Sequence, residues 1–477
     1  MKVLNYIDGN FQASVDNKWI ENTNPATDGI IGNIAKSNIK DVDLAVCSAQ
    51  KALPDWRSLS TSKRAEYLIK LSTKIEENLE ELSLIESRDT GKPIHTSSNI
   101  DIPRSAKNLR FFAEFAISQN NEEFHGEGLK NYVKRSPIGV VGCISPWNLP
   151  LYLFTWKIAP ALVSGNTVIA KPSEFTPSTA FLLSRYCEEI NLPAGVLNIV
   201  HGIGQEAGSA IVDHPGVKAI SFTGSTEVGK IIAESCGKQM KKISLELGGK
   251  NPFIITENAD LEKAASTAMR AAFTNQGQVC LCGSRVFIQK RLYEKVKRKM
   301  LDKLVLLCPR DPESEDSRFG SLTSKEHFKK VKNYETLAKE DSKITVHQHE
   351  HKMKKGNFIA PMILENVSTD HPINQDEIFG PIVSIQPYET EDELIQLANS
   401  TQYGLCASIF TKDPKQANRI ASKIEAGIVW INTWLARDLR TPFGGVKASG
   451  FGREGGNYAL NFFTEPKNIC YLEEEDE

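Results

Sequence analysis

No run of about 18 apolar residues occurs in this 477-residue chain, so nothing in it reads as a membrane-crossing helix. The first nine residues lack the apolar core of a secretory signal and the Arg/Ser bias of a transit peptide. An excess of charge of one sign is missing as well. Lys and Arg number 57 against 59 Asp and Glu, which leaves no field to recruit nucleic acid or an anionic membrane. The acidic run Glu473-Glu474-Glu475-Asp476-Glu477 reads as a solvated end. Paired cysteine spacing is also absent. The nine cysteines stand at 47, 143, 187, 236, 280, 282, 308, 406 and 470, which suits reduced thiols in the cytoplasm better than a disulfide framework. Cys280 and Cys282 have no second Cys or His pair at zinc-ligand spacing, so no metal is expected.

What is present is a chain long enough for two or more cores. The first hundred residues read as largely helical, with apolar residues at three- and four-residue steps over 41–56 and 62–88. A further helix follows Pro103, with Ile102, Ala106, Leu109, Ala113 and Ala116 on one face and Arg104 off it. Two β-rich runs around Ser136-Pro137, within 132–144, read as a hairpin. From 147 to 256, short β-branched runs at 167–170, 196–200, 219–222 and 252–255 are interspersed with helical segments at 178–190 and 204–212. That alternation predicts an α/β fold with a parallel, doubly wound sheet. It restarts beyond 256, with helices over 259–273 and 291–307 and strands at 285–288, 383–385 and 428–431. A ligand crevice between two such units is expected.

Several local patterns carry chemistry. Cys280 sits among small residues and amides in Asn275-Gln276-Gly277-Gln278-Val279-Cys280-Leu281-Cys282, where a thiol can approach a carbonyl without crowding. Glu246, in an apolar setting before Gly248-Gly249, is placed for a raised pKa and general-base work. Asn148, between Pro146 and Pro150, offers an amide as an oxyanion donor. The turn from Thr223 to Gly229 opens a helix whose positive end can face a phosphate. Its spacing is Gly-x-x-x-x-Gly, unlike the usual dinucleotide fingerprint, and Gly202-x-Gly204-x-x-x-Gly208 misses that fingerprint too.

Taken together, Pro146-Trp147-Asn148, Lys171-Pro172-Ser173-Glu174, Phe222-Thr223-Gly224-Ser225, Glu246-Leu247-Gly248-Gly249-Lys250, Gly277-Gln278-Val279-Cys280, Glu377-Ile378-Phe379-Gly380-Pro381 and Pro442-Phe443-Gly444-Gly445 resemble the ordered motif series of the NAD(P)-dependent aldehyde dehydrogenase superfamily. The resemblance implies a Rossmann-like NAD-binding domain over 1–118 and 146–248 and an α/β catalytic domain over 249–448. It further implies a small β oligomerisation element from 119–145 and 449–477, building a homodimer or homotetramer. By the same resemblance Cys280 is the nucleophile, Asn148 and the Cys280 N–H hold the oxyanion, and Glu246 activates water. That retained acid favours hydrolysis over transfer to CoA.

Cofactor positions carry over likewise. Lys171 and Glu174 match the adenosine ribose, Gly224 and Ser225 the pyrophosphate, and Glu377 and Phe379 the nicotinamide ribose. Ser145, Trp147, Ser173, Gly204, Phe222, Val228, Glu246 and Gly248 are implied as further cofactor contacts. The acidic Glu174 predicts NAD over NADP, because a carboxylate accepts from a ribose 2′-OH but repels a 2′-phosphate.

The substrate tunnel positions fall on Arg104, Trp156 and Arg437, with Arg440 sharing the arginine role as an alternative. A guanidinium in an apolar tunnel is costly to desolvate unless an anion meets it. The run from Leu435 to Gly445 resembles the branch that oxidises 2-aminomuconic and 2-hydroxymuconic semialdehydes. It implies an aminomuconic-type semialdehyde substrate from tryptophan (kynurenine) or aromatic-ring breakdown. The alternatives are the hydroxymuconic compound or another aldehyde, such as retinal, betaine aldehyde or a simple aliphatic one. Val279 and Leu149 depart from the common pattern of a second cysteine and an aromatic, which alters tunnel shape but not chemistry.

Overall fold

A computed structural model describes residues 1–119 and 122–472; the acidic run 473–477 lies outside them. Two large sheets organise the molecule. The first has eight strands, and its five middle members are parallel: Lys242–Glu246, Ala219–Thr223, Val140–Ile144, Thr167–Lys171 and Leu197–Ile199. Gly450–Phe451 closes one edge antiparallel, and Asn5–Ile7 with Asn10–Gln12 closes the other. The second sheet has seven strands, ordered Thr345–Gln348, Met362–Glu365, Ile382–Tyr388, Arg285–Gln289, Pro252–Ile255, Cys406–Phe410 and Ile428–Ile431. All but the first are parallel. Parallel strands buried on both faces explain the continuous β-branched runs in the sequence.

Four sequence expectations need correction. The first 35 residues form strands, not helix; their polar alternation is short and hides beneath turn residues. The helical stretch expected over 62–88 is two helices, Thr61–Glu77 and Leu79–Thr90, broken at Asn78. The segment 132–144 is no hairpin. Leu129–Pro137 pairs with Thr464–Leu472 and Glu122–Gly126 in a separate three-stranded sheet. Val140–Ile144 instead occupies the middle of the eight-stranded sheet, so a boundary at 145 cuts through that sheet's core. The Ser-Pro-Ile-Gly sequence turns the chain from one sheet to the other, which local pattern cannot distinguish from a hairpin turn. Finally, Lys242–Glu246 is a strand that the sequence pattern does not mark, since its alternation is short and it opens on a lysine.

Local chemistry sets the turns that meet between the sheets. Helix Leu261–Phe273 is capped by Asp260 and runs out at Thr274. Asn275, Gln276 and Gly277 then take left-handed φ values of 52°, 55° and 76° in succession. At Gly277 a Cβ would lie 2.2 Å from the Gly380 carbonyl oxygen, so only glycine lets these two loops touch.

A buried ionic cluster ties the helices to this junction. Lys92, fully enclosed, contacts Asp101, lies 3.4 Å from Glu86 Oε1, and donates to the Asn148 carbonyl at 3.1 Å. Glu86 also accepts from the Leu151 N–H at the start of helix Pro150–Val163. Removing the ammonium strands two buried carboxyl groups. Lys92→Met is therefore expected to cost about 3–5 kcal/mol of stability, read as a lowered midpoint in urea unfolding.

Candidate active site

Cys280 lies on the turn that follows the left-handed segment. Its loop is held by Asn251, whose side-chain amide donates to the Cys280 and Cys282 carbonyls at 2.7 and 2.9 Å. The Trp434 indole N–H donates to Leu281 O at 2.8 Å. Asn148 is fixed from both ends. Its carbonyl accepts from Lys92 and from the Asn275 amide at 3.0 Å, and its own Nδ2 donates to Gln278 O at 2.9 Å. A carboxamide nitrogen carries two hydrogens, so one remains for a ligand oxygen.

The sulfur faces a cavity of about 450 Å³. Trp147, Asn148, Gly224, Ser225, Gly248, Cys280, Glu377 and Phe379 all line it. Gly248 lies under the Glu377 carboxyl: a Cβ on it would come 2.3 Å from Oε2 and displace that group. Glu377 Oε1 accepts from the neighbouring Gly249 N–H at 2.8 Å. At the far side, Ser225 caps helix Thr226–Lys238 by accepting from Val228 N–H. The first N–H groups of that 13-residue helix form a positive end suited to phosphate. A second polar cluster follows strand Thr167–Lys171. Glu174 accepts from Lys171 at 3.1 Å and from Gly204 N–H at 3.0 Å. Burial raises this carboxyl, but Lys171 and the amides outweigh it and hold Glu174 below the usual carboxylate range. Gly224, Ser225 and Cys280 share the cavity, whereas Lys171, Glu174 and Gly204 do not line it.

Other residues expected to touch the cofactor sit deeper. Phe222 is buried beneath Gly224, Ser145 is buried with its N–H on Lys171 O, and Ser173 accepts from Phe175 N–H. Val228 is exposed and does not line the cavity.

Electrostatics around the sulfur are dominated by burial and carboxyl groups. Burial, then Glu377 and Glu246, push the Cys280 thiol far up. Burial and Glu454 raise Glu246 well above its ordinary value, against the pull of Lys157, Arg437 and Arg453. Glu246 Oε1 is buried and has no hydrogen-bond partner among the described residues. Glu454, absent from the sequence reading, accepts from Trp156 Nε1 at 2.6 Å and Lys157 Nζ at 2.9 Å. It lies 208 positions beyond Glu246, and no local signal marks it.

Arg104 and Arg437 meet across aromatic rings. The Arg437 guanidinium lies 4.8 Å from the Trp156 ring centre and 3.9 Å from that of Phe443, and Arg104 is 5.1 Å from Tyr152. Arg437 reaches the Tyr152 hydroxyl at 3.5 Å. Arg104 Nε donates to Asn108, while its buried Nη2 has no partner among the described residues. Arg440 is a correction: it is exposed and forked onto Asp438, away from this wall.

The aldehyde dehydrogenase family model matches residues 11–469. The chain belongs to the aldehyde dehydrogenase family. It is 44% identical to a 2-aminomuconic semialdehyde dehydrogenase of Danio rerio, covering 98% of this chain and 97% of that protein. It is 41% identical to a 2-hydroxymuconic semialdehyde dehydrogenase of Pseudomonas sp. (strain CF600), over 98% of this chain and 99% of that one. An NAD+ complex of aldehyde dehydrogenase from Bacillus cereus superposes with a TM-score of 0.96 at 36% identity, covering 99% and 97% of the two chains. The protein is thus an oxidoreductase with the aldehyde dehydrogenase fold, acting on a small aldehyde with a nicotinamide dinucleotide. Among the described residues no helix is long and apolar enough to cross a membrane.

One consequence concerns pH. Burial pushes Glu377 up to about 7 from 4.5, with the Gly249 N–H opposing. Between those values the unfolded chain has lost this proton and the folded dehydrogenase has not, so folding stability falls as pH rises. Glu377→Gln cannot ionise. In thermal unfolding of the cofactor-free protein, the variant should gain on the parent from pH 5 to pH 8, by about 3 kcal/mol at most.

Proposed function

We propose that the enzyme oxidises a carboxylate-bearing semialdehyde, foremost 2-aminomuconic semialdehyde, to the corresponding acid with NAD. One observation carries the substrate class. Arg104 and Arg437 face each other over a wall of Tyr152, Trp156 and Phe443, and neither has a carboxylate partner among the described residues, whereas the exposed Arg440 does. Two unneutralised guanidinium groups in a half-buried wall call for an anion. The relatives named for 2-aminomuconic and 2-hydroxymuconic semialdehydes support the same class.

The chemistry follows from the positions of the side chains. With the substrate carboxylate on the arginines, the aldehyde carbon meets Cys280 Sγ. As the sulfur bonds to the carbonyl carbon its proton passes to ionised Glu246 and on to solvent, and the oxyanion of the thiohemiacetal is received by the second N–H of the Asn148 amide and by the Cys280 N–H. Such a donor lowers the barrier by roughly 2.7–4 kcal/mol. When bound, NAD supplies the hydride acceptor. The residual thioester on Cys280 is cleaved by water whose proton passes to Glu246 in its ionised form, a strong base because its carboxyl is raised, and returns from it to the departing sulfur, releasing acid and thiol. The buried Glu246 Oε1 has no protein partner among the described residues, which supports this role.

Glu174 supports NAD over NADP, since its carboxylate is held ionised by Lys171 where a ribose hydroxyl would bind. Nine unpaired cysteines support a reducing, cytoplasmic setting. The three-stranded sheet of Glu122–Gly126, Leu129–Pro137 and Thr464–Leu472, exposed over much of its length, supports self-association as a homodimer or homotetramer.

Steady-state kinetics test the substrate reading. Arg104→Ala and Arg437→Ala should each raise KM for the semialdehyde by roughly ten- to a hundredfold and spare neutral aldehydes; equal losses on both would refute carboxylate recognition. Cofactor choice is checked by comparing kcat/KM for NAD and NADP. Glu174→Gln should narrow the preference for NAD, and comparable parent values would remove the role given to Glu174.

A further inference from the structure

Helix Lys325–Glu340 turns three side chains towards the segment that carries Glu377 and Phe379. His327 Nε2 lies 2.7 Å from the Phe379 carbonyl oxygen. Lys330 Nζ donates to the Glu377 carbonyl at 2.9 Å, and the Tyr334 hydroxyl donates to Asp376 Oδ2 at 2.9 Å. Positions 327, 330 and 334 are one stripe of a helix, so a single rigid element holds three successive points of one loop. Ser324 caps this helix by accepting from the His327 N–H, which fixes its first turn.

The loop needs holding. Phe379 has φ +60°, a left-handed conformation that costs a bulky residue about 1–3 kcal/mol. Left free, it would relax, and Glu377 would move with it. His327 and Trp147 both pack against the Phe379 ring, at 6.0 and 5.2 Å between ring centres. A carbonyl oxygen can only accept, so Nε2 carries the hydrogen. Burial holds the imidazole down at about 4, which keeps it a neutral donor at working pH.

We propose that His327, with Lys330 and Tyr334, is a cofactor-positioning residue that clamps the backbone of 376–379 and presets Glu377 and Phe379 for the nicotinamide ribose. The inference rests on the reading of Glu377 and Phe379 as the ribose grip and adds what holds that grip in shape. The geometry predicts that losing the clamp weakens NAD binding while aldehyde recognition, 104 and 437 being elsewhere, is unaffected.

The test measures NAD affinity of the cofactor-free full chain by calorimetry, together with KM for NAD and for aldehyde. His327→Leu should raise Kd and KM for NAD roughly tenfold, leaving aldehyde KM in place. His327→Gln, which keeps an N–H donor, should recover most of that loss. Should His327→Leu fail to fold, Tyr334→Phe, lacking one hydroxyl, carries the test with a severalfold weaker Kd. Glu377→Ala separates the two layers of inference. If it leaves NAD affinity unchanged, the ribose grip is misassigned. If it weakens NAD binding while the folded His327 and Tyr334 variants bind as the parent does, the clamp is overturned. Equal rises in KM for NAD and aldehyde would reduce His327 to a general structural role and likewise overturn it.

Discussion

The low dielectric around Cys280 governs the rest of the site. A thiol enclosed beside two carboxyl groups resists ionisation, and those carboxyl groups, enclosed with it, resist it as well. The protein answers with directed partners instead of water. Lys157, Arg437 and Arg453 pull on Glu246, the Gly249 amide steadies Glu377, and Lys92 fixes the carbonyl of the residue whose amide awaits an oxyanion. Each is worth more in this setting than on a surface, because little solvent screens it.

Enclosure of that kind is obtained by bringing loops from two sheets into near contact. Three consecutive left-handed residues, 275–277, aim the Cys280 turn, and Gly277 passes against Gly380 with no room for a methyl group. Gly248 does the same beneath Glu377. The backbone strain at Phe379 persists because a helix and two aromatic rings surround it. Strain therefore concentrates at the place where the two halves of the site must meet, and regular elements carry the restraint.

Three arginines close in the chain or in space differ in what their side chains meet. Arg440 is neutralised by its neighbour Asp438 in solvent, so it has no vacancy for a ligand. Arg104 and Arg437 are stacked on aromatic rings that solvate their faces, and the Arg104 Nη2 has no hydrogen-bond partner among the described residues.

The sequence by itself determined the alternation of strands and helices beyond residue 146, the thiol at 280, and the acid and amide motifs, because those signals are periodic or contiguous and survive without a partner. It also carried the ordered motif series by which the family is legible. Only tertiary structure decided that 140–144 lies inside the large sheet, since a turn between sheets and a hairpin turn look alike locally. It alone separated Arg437 from Arg440, three residues apart, by the ring and carboxylate each one meets. Glu454, the Lys92 bond to Asn148 and the His327 stripe were invisible for the same reason: these contacts join residues 42 or more positions apart and exist only once the chain has closed on itself.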